Sequence, residues 1–136
     1  MTAESDLLRQ ILRAHGARPD LRLFRNNVAQ GWVGEAQRID RPHQTAWLSP
    51  GDVILRNARP LHAGLCPGSP DLVGWRVVQT DRGPVAQFAG VEVKTGRQRP
   101  TRAQRQFLDT LAAFGGLAVV ARDPEDLASA LNGEAA

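Results

Sequence analysis

Asp71, Glu92 and Lys94 are the residues of this 136-residue chain whose types and spacing best suit chemistry. Lys94 is the sole lysine beside sixteen arginines, and it follows one of only five glutamates by two positions. Residues two apart on a strand share a face, so Glu92 and Lys94 point one way while Val91 and Val93 point the other. Asp71 follows Gly68-Ser69-Pro70, a turn sequence that delivers it to the start of the apolar run from Leu72. If Leu72–Val78 and Val85–Val93 pair as a hairpin centred between Asp81 and Arg82, Asp71 falls opposite Glu92. A bulge at Gly83 would slip that register by one. Directly opposed residues hold their Cβ atoms about 4.5–5.5 Å apart, and two carboxylates at that separation repel unless a cation sits between them. Hard carboxylate oxygens suit Mg²⁺ or Mn²⁺. Such an ion polarises a phosphate and acidifies a bound water, and an ammonium beside it can stabilise charge building on the phosphate. This chemistry suits phosphodiester hydrolysis. The plainer account of Glu-x-Lys is a charge pair at a sheet edge, where lysine discourages edge-to-edge pairing.

These residues need elements to hold them. Leu7, Leu8, Ile11 and Leu12 lie at helical spacing and predict a first helix over Ala3–His15, ended by Gly16 and Pro19. Glu4 heads the buried stripe of that helix, where it serves either the site or the helix dipole. Leu21–Arg25 reads as a short strand. The polar stretch Asn26–Pro50 reads as a loop with one or two short strands, and Asp52–Leu55 as a further short strand. Pro60–Pro70 is too rich in proline and glycine for regular structure, and Thr80–Pro84 is a tight turn. A second helix starts after Thr101, whose spacing to Gln104 is that of a capping box. Gln104 also heads the stripe of Phe107, Leu108 and Leu111, so it can face the sheet or fold back on the cap; Phe114 extends the apolar contacts to Gly115-Gly116. Leu117–Ala121 reads as a buried strand, and Asp123–Leu131 as a last helix before a frayed tail at 132–136. The order predicts a mixed α/β fold in one domain, 1–136, with 31–50 a loop or insertion of unassigned role.

Composition narrows the function. Seventeen basic residues against fourteen acidic ones give a net charge of +3 and favour polyanionic partners. Arg97, Arg99, Arg102 and Arg105 form an acid-free cluster, and with Arg56 and Arg59 they flank the candidate site in sequence, as phosphate contacts would. One cysteine, Cys66, gives no internal disulfide, and with His62 alone nearby it makes a poor zinc site. His15 and His43 have no partners at triad spacing, and no glycine-rich phosphate loop is present. Trp32, Trp47 and Trp75 read more readily as core than as base-stacking residues. No apolar run is long enough for a membrane span, and no signal-peptide pattern opens the chain, so a cytoplasmic location is expected.

Gly68-Ser69-Pro70-Asp71, then Glu92-Val93-Lys94, then Gln104 early in a helix together resemble the PD-(D/E)XK nuclease superfamily. The likeness is closest to VRR-NUC domains, among them the small stand-alone ones of phages and prophages. It runs from about Asn57 to Leu131, with Glu4 and Arg25-Asn26-Asn27 matching the first helix and following strand. The resemblance implies a restriction-endonuclease-like αβββαβ core and a Mg²⁺- or Mn²⁺-dependent DNA endonuclease, acting in some members on branched junctions as a homodimer. It implies Asp71 and Glu92 as metal ligands with the Val93 carbonyl, Glu4 as a further candidate, Lys94 as the catalytic lysine and Gln104 as part of the site. It further implies the cytoplasm of a bacterial or phage-infected cell. A nucleic-acid-binding module that keeps the fold without catalysis is the alternative, against which the presence of all three residues argues.

Overall fold

Thr2 caps the first helix, accepting from the Ser5 amide at 3.2 Å, and Glu4 and Asp6 place acid in its first turn where the dipole favours it. Helix α1 spans Ala3–His15 and buries Leu7, Leu8 and Ile11. Strand β1 follows at Leu21–Arg25, then β2 at Ala29–Arg38, β3 at Val53–Ala63, β4 at Leu72–Thr80 and β5 at Gly83–Val93. Helix α2 covers Arg102–Ala113, strand β6 Leu117–Ala121 and helix α3 Pro124–Leu131. This computed structural model describes residues 2–27, 29–38, 50 and 53–133. His43, Trp47 and the tail positions 134–136 lie outside the described residues.

The chain divides into two compact units, Met1–Val28 with Gly64–Ala136, and Ala29–Ala63. In the larger unit the strands run in the order β1-β4-β5-β6, with β5 and β6 parallel and the other pairs antiparallel. A parallel pair needs a crossover, and α2 supplies it. Without the second unit, the order α1-β1-β4-β5-α2-β6 is the expected αβββαβ core, and α3 follows it. The β4–β5 turn is the two residues Asp81 and Arg82, Thr80 pairs with Gly83, and Leu72 pairs with Val91. The register is therefore the unslipped one, and both strands run closer to the turn than Val78 and Val85, their expected ends.

Side-chain alternation sorts the sheet into two faces. Leu72, Val91, Val93, Val119 and Ala121 meet Leu7, Leu8, Ile11 and Leu127 in one core, so α1 and α3 cover that face. Burying each of the valine, leucine and isoleucine side chains contributes about 1.5–3 kcal/mol. Gly90 belongs to the opposite face, where a Cβ would come within 2.9 Å of the Pro70 ring and 3.0 Å of Leu111. Helix α2 therefore packs on that second face, against β5 and β6.

The smaller unit corrects the sequence reading. Ala29–Arg38 is one ten-residue strand, longer than the one or two short strands expected within Asn26–Pro50, and β3 extends from the expected Asp52–Leu55 to Ala63. Pro60 pairs opposite Trp32 inside this two-stranded ribbon. Both strands of a ribbon are edges, so a residue without an N–H can face outward there. Irregular structure thus begins at Gly64 and not at Pro60. Phe114, expected as an apolar contact, is 87% exposed. It is the C-cap of α2, where the stripe has run past the sheet. Trp75, expected in the core, is exposed on the second sheet face, beyond the reach of α2.

Candidate active site

The turn before β4 sets the position of Asp71. Gly68 has φ +85, and a Cβ there would come within 2.7 Å of the Ala103 carbonyl, so glycine lets the turn lie against the first turn of α2. Ser69 donates its hydroxyl to the Cys66 carbonyl at 2.7 Å. Asn26, just past β1, then locks the turn from the other side. Its Nδ2 donates to Ser69 Oγ at 2.8 Å and to the Pro70 carbonyl at 2.9 Å, and its Oδ1 accepts from the Leu65 amide at 3.1 Å. Its own amide donates to the Asp71 carbonyl at 2.8 Å. Sequence reasoning placed Asn26 only within a matching segment and missed this role, because its partners lie some forty residues away.

Asp71 sits one step beyond the Leu72–Val91 pair, so the register brings it opposite Glu92. Its Oδ2 accepts from the Val93 amide at 2.8 Å, which ties the carboxylate to the partner strand. Glu92 is fully buried and Lys94 is 8% exposed. Lys94 donates from Nζ to Glu92 Oε1 at 2.5 Å, and the Lys94 amide donates to the Ala121 carbonyl at 3.0 Å. Burial holds the Glu92 carboxyl above the ordinary glutamate range, the Lys94 hydrogen bond draws it back down, and the negative charges of Asp71 and Glu4 push it up again. Glu4 is thus close enough for its charge to be felt at the site, from the helix on the opposite face.

Glu92 Oε2 is buried and has no hydrogen-bond partner among the described residues. A buried carboxylate oxygen without a donor is costly, and a cation is the partner its charge requires. The donor set fits a divalent ion: Glu92 Oε2 is open, Asp71 stands opposite it, and both offer the hard oxygens that Mg²⁺ and Mn²⁺ prefer. Among the described residues no three His, Cys, Asp or Glu side chains converge as a ready-made cage. Mg²⁺ typically takes one or two carboxylates and keeps several waters, so a pair is enough for it.

Gln104 sits in the capping box. Its Oε1 accepts from the Thr101 amide at 2.8 Å while its amide donates to Thr101 Oγ1 at 3.3 Å. That commits its carboxamide oxygen to the helix start, one of the two roles its spacing allowed. Arg97, Arg99, Arg102 and Arg105 are all exposed. Arg99 and Arg105 line a cleft of about 530 Å³ together with Arg122 and Val120. Val120 is the register partner of Glu92, so the cleft lies one strand, roughly 5 Å, from the carboxylate strand. Arg122, which the sequence reading did not single out, donates to the Gln98 carbonyl at 2.8 Å and so steadies the loop that carries the cluster. Arg56 and Arg59 lie on β3 in the smaller unit, paired with Glu35 and Val33.

Among the described residues no helix is long and apolar enough to cross a membrane. The family model for the VRR-NUC domain matches residues 48–123, which span Asp71, Glu92, Lys94 and the arginine cleft. No curated protein matches the chain.

Proposed function

Because the chain belongs to the VRR-NUC family of the PD-(D/E)XK nuclease superfamily, and so has a nuclease-type function, we propose that it is a divalent-metal-dependent DNA endonuclease acting through Asp71, Glu92 and Lys94. The observation that carries this reading is the buried, donor-less Glu92 Oε2, set opposite Asp71 with Lys94 on its other oxygen. Asp71, Glu92 and the Val93 carbonyl would hold the ion, with Glu4 contributing charge from α1. When bound, a Mg²⁺ or Mn²⁺ ion supplies a Lewis acid for the phosphate and acidifies a water. Lys94 holds its ammonium beside the carboxylates, where it can stabilise negative charge on the phosphate oxygens or orient the attacking water. Burial keeps that ammonium's field from being fully screened. Arg99, Arg105 and Arg122, with Arg97 and Arg102 on the same loop and helix, supply sequence-independent contacts to the phosphate backbone.

We take residues 1–136 as one nuclease domain with the β2–β3 ribbon inserted after β1. One site cuts one strand. Cleavage of both strands, or of a junction, then calls for a two-fold pair of chains, and on this reading the active form is a homodimer. The test is cleavage of plasmid, single-stranded and four-way-junction DNA with Mg²⁺, Mn²⁺ or a chelator. Metal-dependent cleavage that Asp71→Asn and Glu92→Gln abolish is the expected result. Cleavage that survives chelation or either substitution contradicts the assignment. Light scattering that finds only monomer, with and without DNA, contradicts the dimer.

A further inference from the structure

We propose that the open part of the second sheet face is a stacking platform for the bases of single-stranded nucleic acid, built by Phe24, Trp75 and Phe88. The inference rests on the nuclease reading and gives it a substrate class. Phe24 is 54% exposed, Trp75 41% and Phe88 43%. The Phe24 and Trp75 rings contact with centroids 5.6 Å apart and planes at 44°. Trp75 is the direct register partner of Phe88, and Phe24 stands opposite Val73, which pairs with Gly90. Alternation therefore puts all three rings on the face that carries Gly90, Glu92 and Asp71. Helix α2 covers this face over β5 and β6, and the rings occupy what it leaves open towards β1.

Three features favour bases as the occupant. The first is charge: Arg22, the partner of Trp75, shares the face and is exposed, and neither the rings' register partners nor the residues between them carry an acid. The second is continuity with the site. Trp75 is four residues along β4 from Asp71, and Phe88 four residues along β5 from Glu92. Both offsets are about 13 Å at strand rise, close to four nucleotide steps at the 3.4 Å rise of a stacked strand. A strand with its phosphate at the carboxylates would lay bases over the rings. The third is area. Aromatic side chains of about 150–250 Å² each, roughly half exposed, offer on the order of 300 Å². A stable protein interface needs about 800 Å² from each partner, whereas a few stacked bases need no more than these rings provide. Paired bases are already stacked on each other, so the platform selects unpaired strands.

The test measures binding in chelator, so that no cleavage is required. The probes are a labelled dT12 oligonucleotide and a blunt 12-base-pair duplex. A stacked ring is worth roughly 5- to 150-fold in affinity. Trp75→Ala with Phe88→Ala should weaken dT12 binding at least 10-fold and duplex binding less than 2-fold, and Trp75→Phe should keep most of the dT12 affinity. Phe24→Ala, on the edge strand, provides a second reading if the double variant does not fold. Unchanged dT12 affinity in a folded variant overturns the proposal, as does an equal loss for duplex. A variant that loses self-association while keeping dT12 affinity also overturns it, since the face would then be a protein contact. Wild-type protein that binds dT12 through these rings but cuts nothing would instead refute the nuclease reading and leave the platform standing.

Discussion

Replacing Asn26 with alanine should loosen the turn that aims Asp71, and the structure sets the size of the effect. The substitution deletes three hydrogen bonds: to Ser69 Oγ, the Pro70 carbonyl and the Leu65 amide. Asn26, Ser69 and Pro70 are buried, so their freed groups find little water in exchange. At about 1 kcal/mol net for each of the three hydrogen bonds, the loss is about 3 kcal/mol. A domain stable by 5–15 kcal/mol survives that, so a folded variant can be assayed. The amide bond from residue 26 to the Asp71 carbonyl remains, because it belongs to the main chain. Urea unfolding should therefore show the destabilisation with an unchanged slope, and cleavage should need more Mg²⁺ because the Asp71 carboxylate is less firmly placed. Asn26→Asp separates hydrogen bonding from shape. It fills the same space but turns a carboxylate towards the Pro70 carbonyl, so it should be at least as damaging as alanine. A loss below about 1 kcal/mol with an unchanged Mg²⁺ requirement, or an aspartate variant equal to wild type, would refute this reasoning.

Gly68→Ala places a Cβ within 2.7 Å of the Ala103 backbone at φ +85; it should cost about 1–3 kcal/mol, and a thermal midpoint equal to wild type would contradict the packing described. Lys94→Ala should lower the cleavage rate by orders of magnitude without weakening Mn²⁺ binding, and Lys94→Arg should not fully restore it, because a broad fork replaces a compact charge; a variant that merely needs more metal would make Lys94 structural. Arg99→Ala with Arg105→Ala should flatten the slope of log affinity against log salt by about 1.8 on duplex DNA, near 0.9 per phosphate contact released. An unchanged slope would remove the cleft from the DNA path.

The positions of the candidate-site residues were legible because short-range rules govern them. Asp81-Arg82 before Gly83-Pro84 defines a two-residue turn, and once the turn is known the pleat carries Asp71 to a place opposite Glu92. The capping box at Thr101 and the stripe of α1 are equally local. What was missed depends on contacts between distant residues. The β2–β3 ribbon joins residues 29–38 to 53–63; neither strand alternates cleanly and β3 contains Pro60, so no single segment declares it. Asn26 looks like any polar residue after a strand until the turn at Ser69 folds onto it. Trp75 alternates as a core residue should. Its exposure depends on how far α2 reaches across the sheet, which periodicity along β4 does not encode. Gln104 illustrates the converse case: two local rules applied to it, and the cap claims its carboxamide oxygen.

Counting bound Mn²⁺ by electron paramagnetic resonance, in folded wild-type protein and in Asp71→Asn and Glu92→Gln, tests the account most directly. It asks whether the open Glu92 oxygen and the carboxylate opposite it hold an ion, with no substrate in the way. Wild-type protein should bind Mn²⁺, and each variant should lose that binding with its thermal transition intact. Binding of equal strength in either variant would show that the ion sits elsewhere, and the chemistry assigned to Asp71, Glu92 and Lys94 would have no metal to act with.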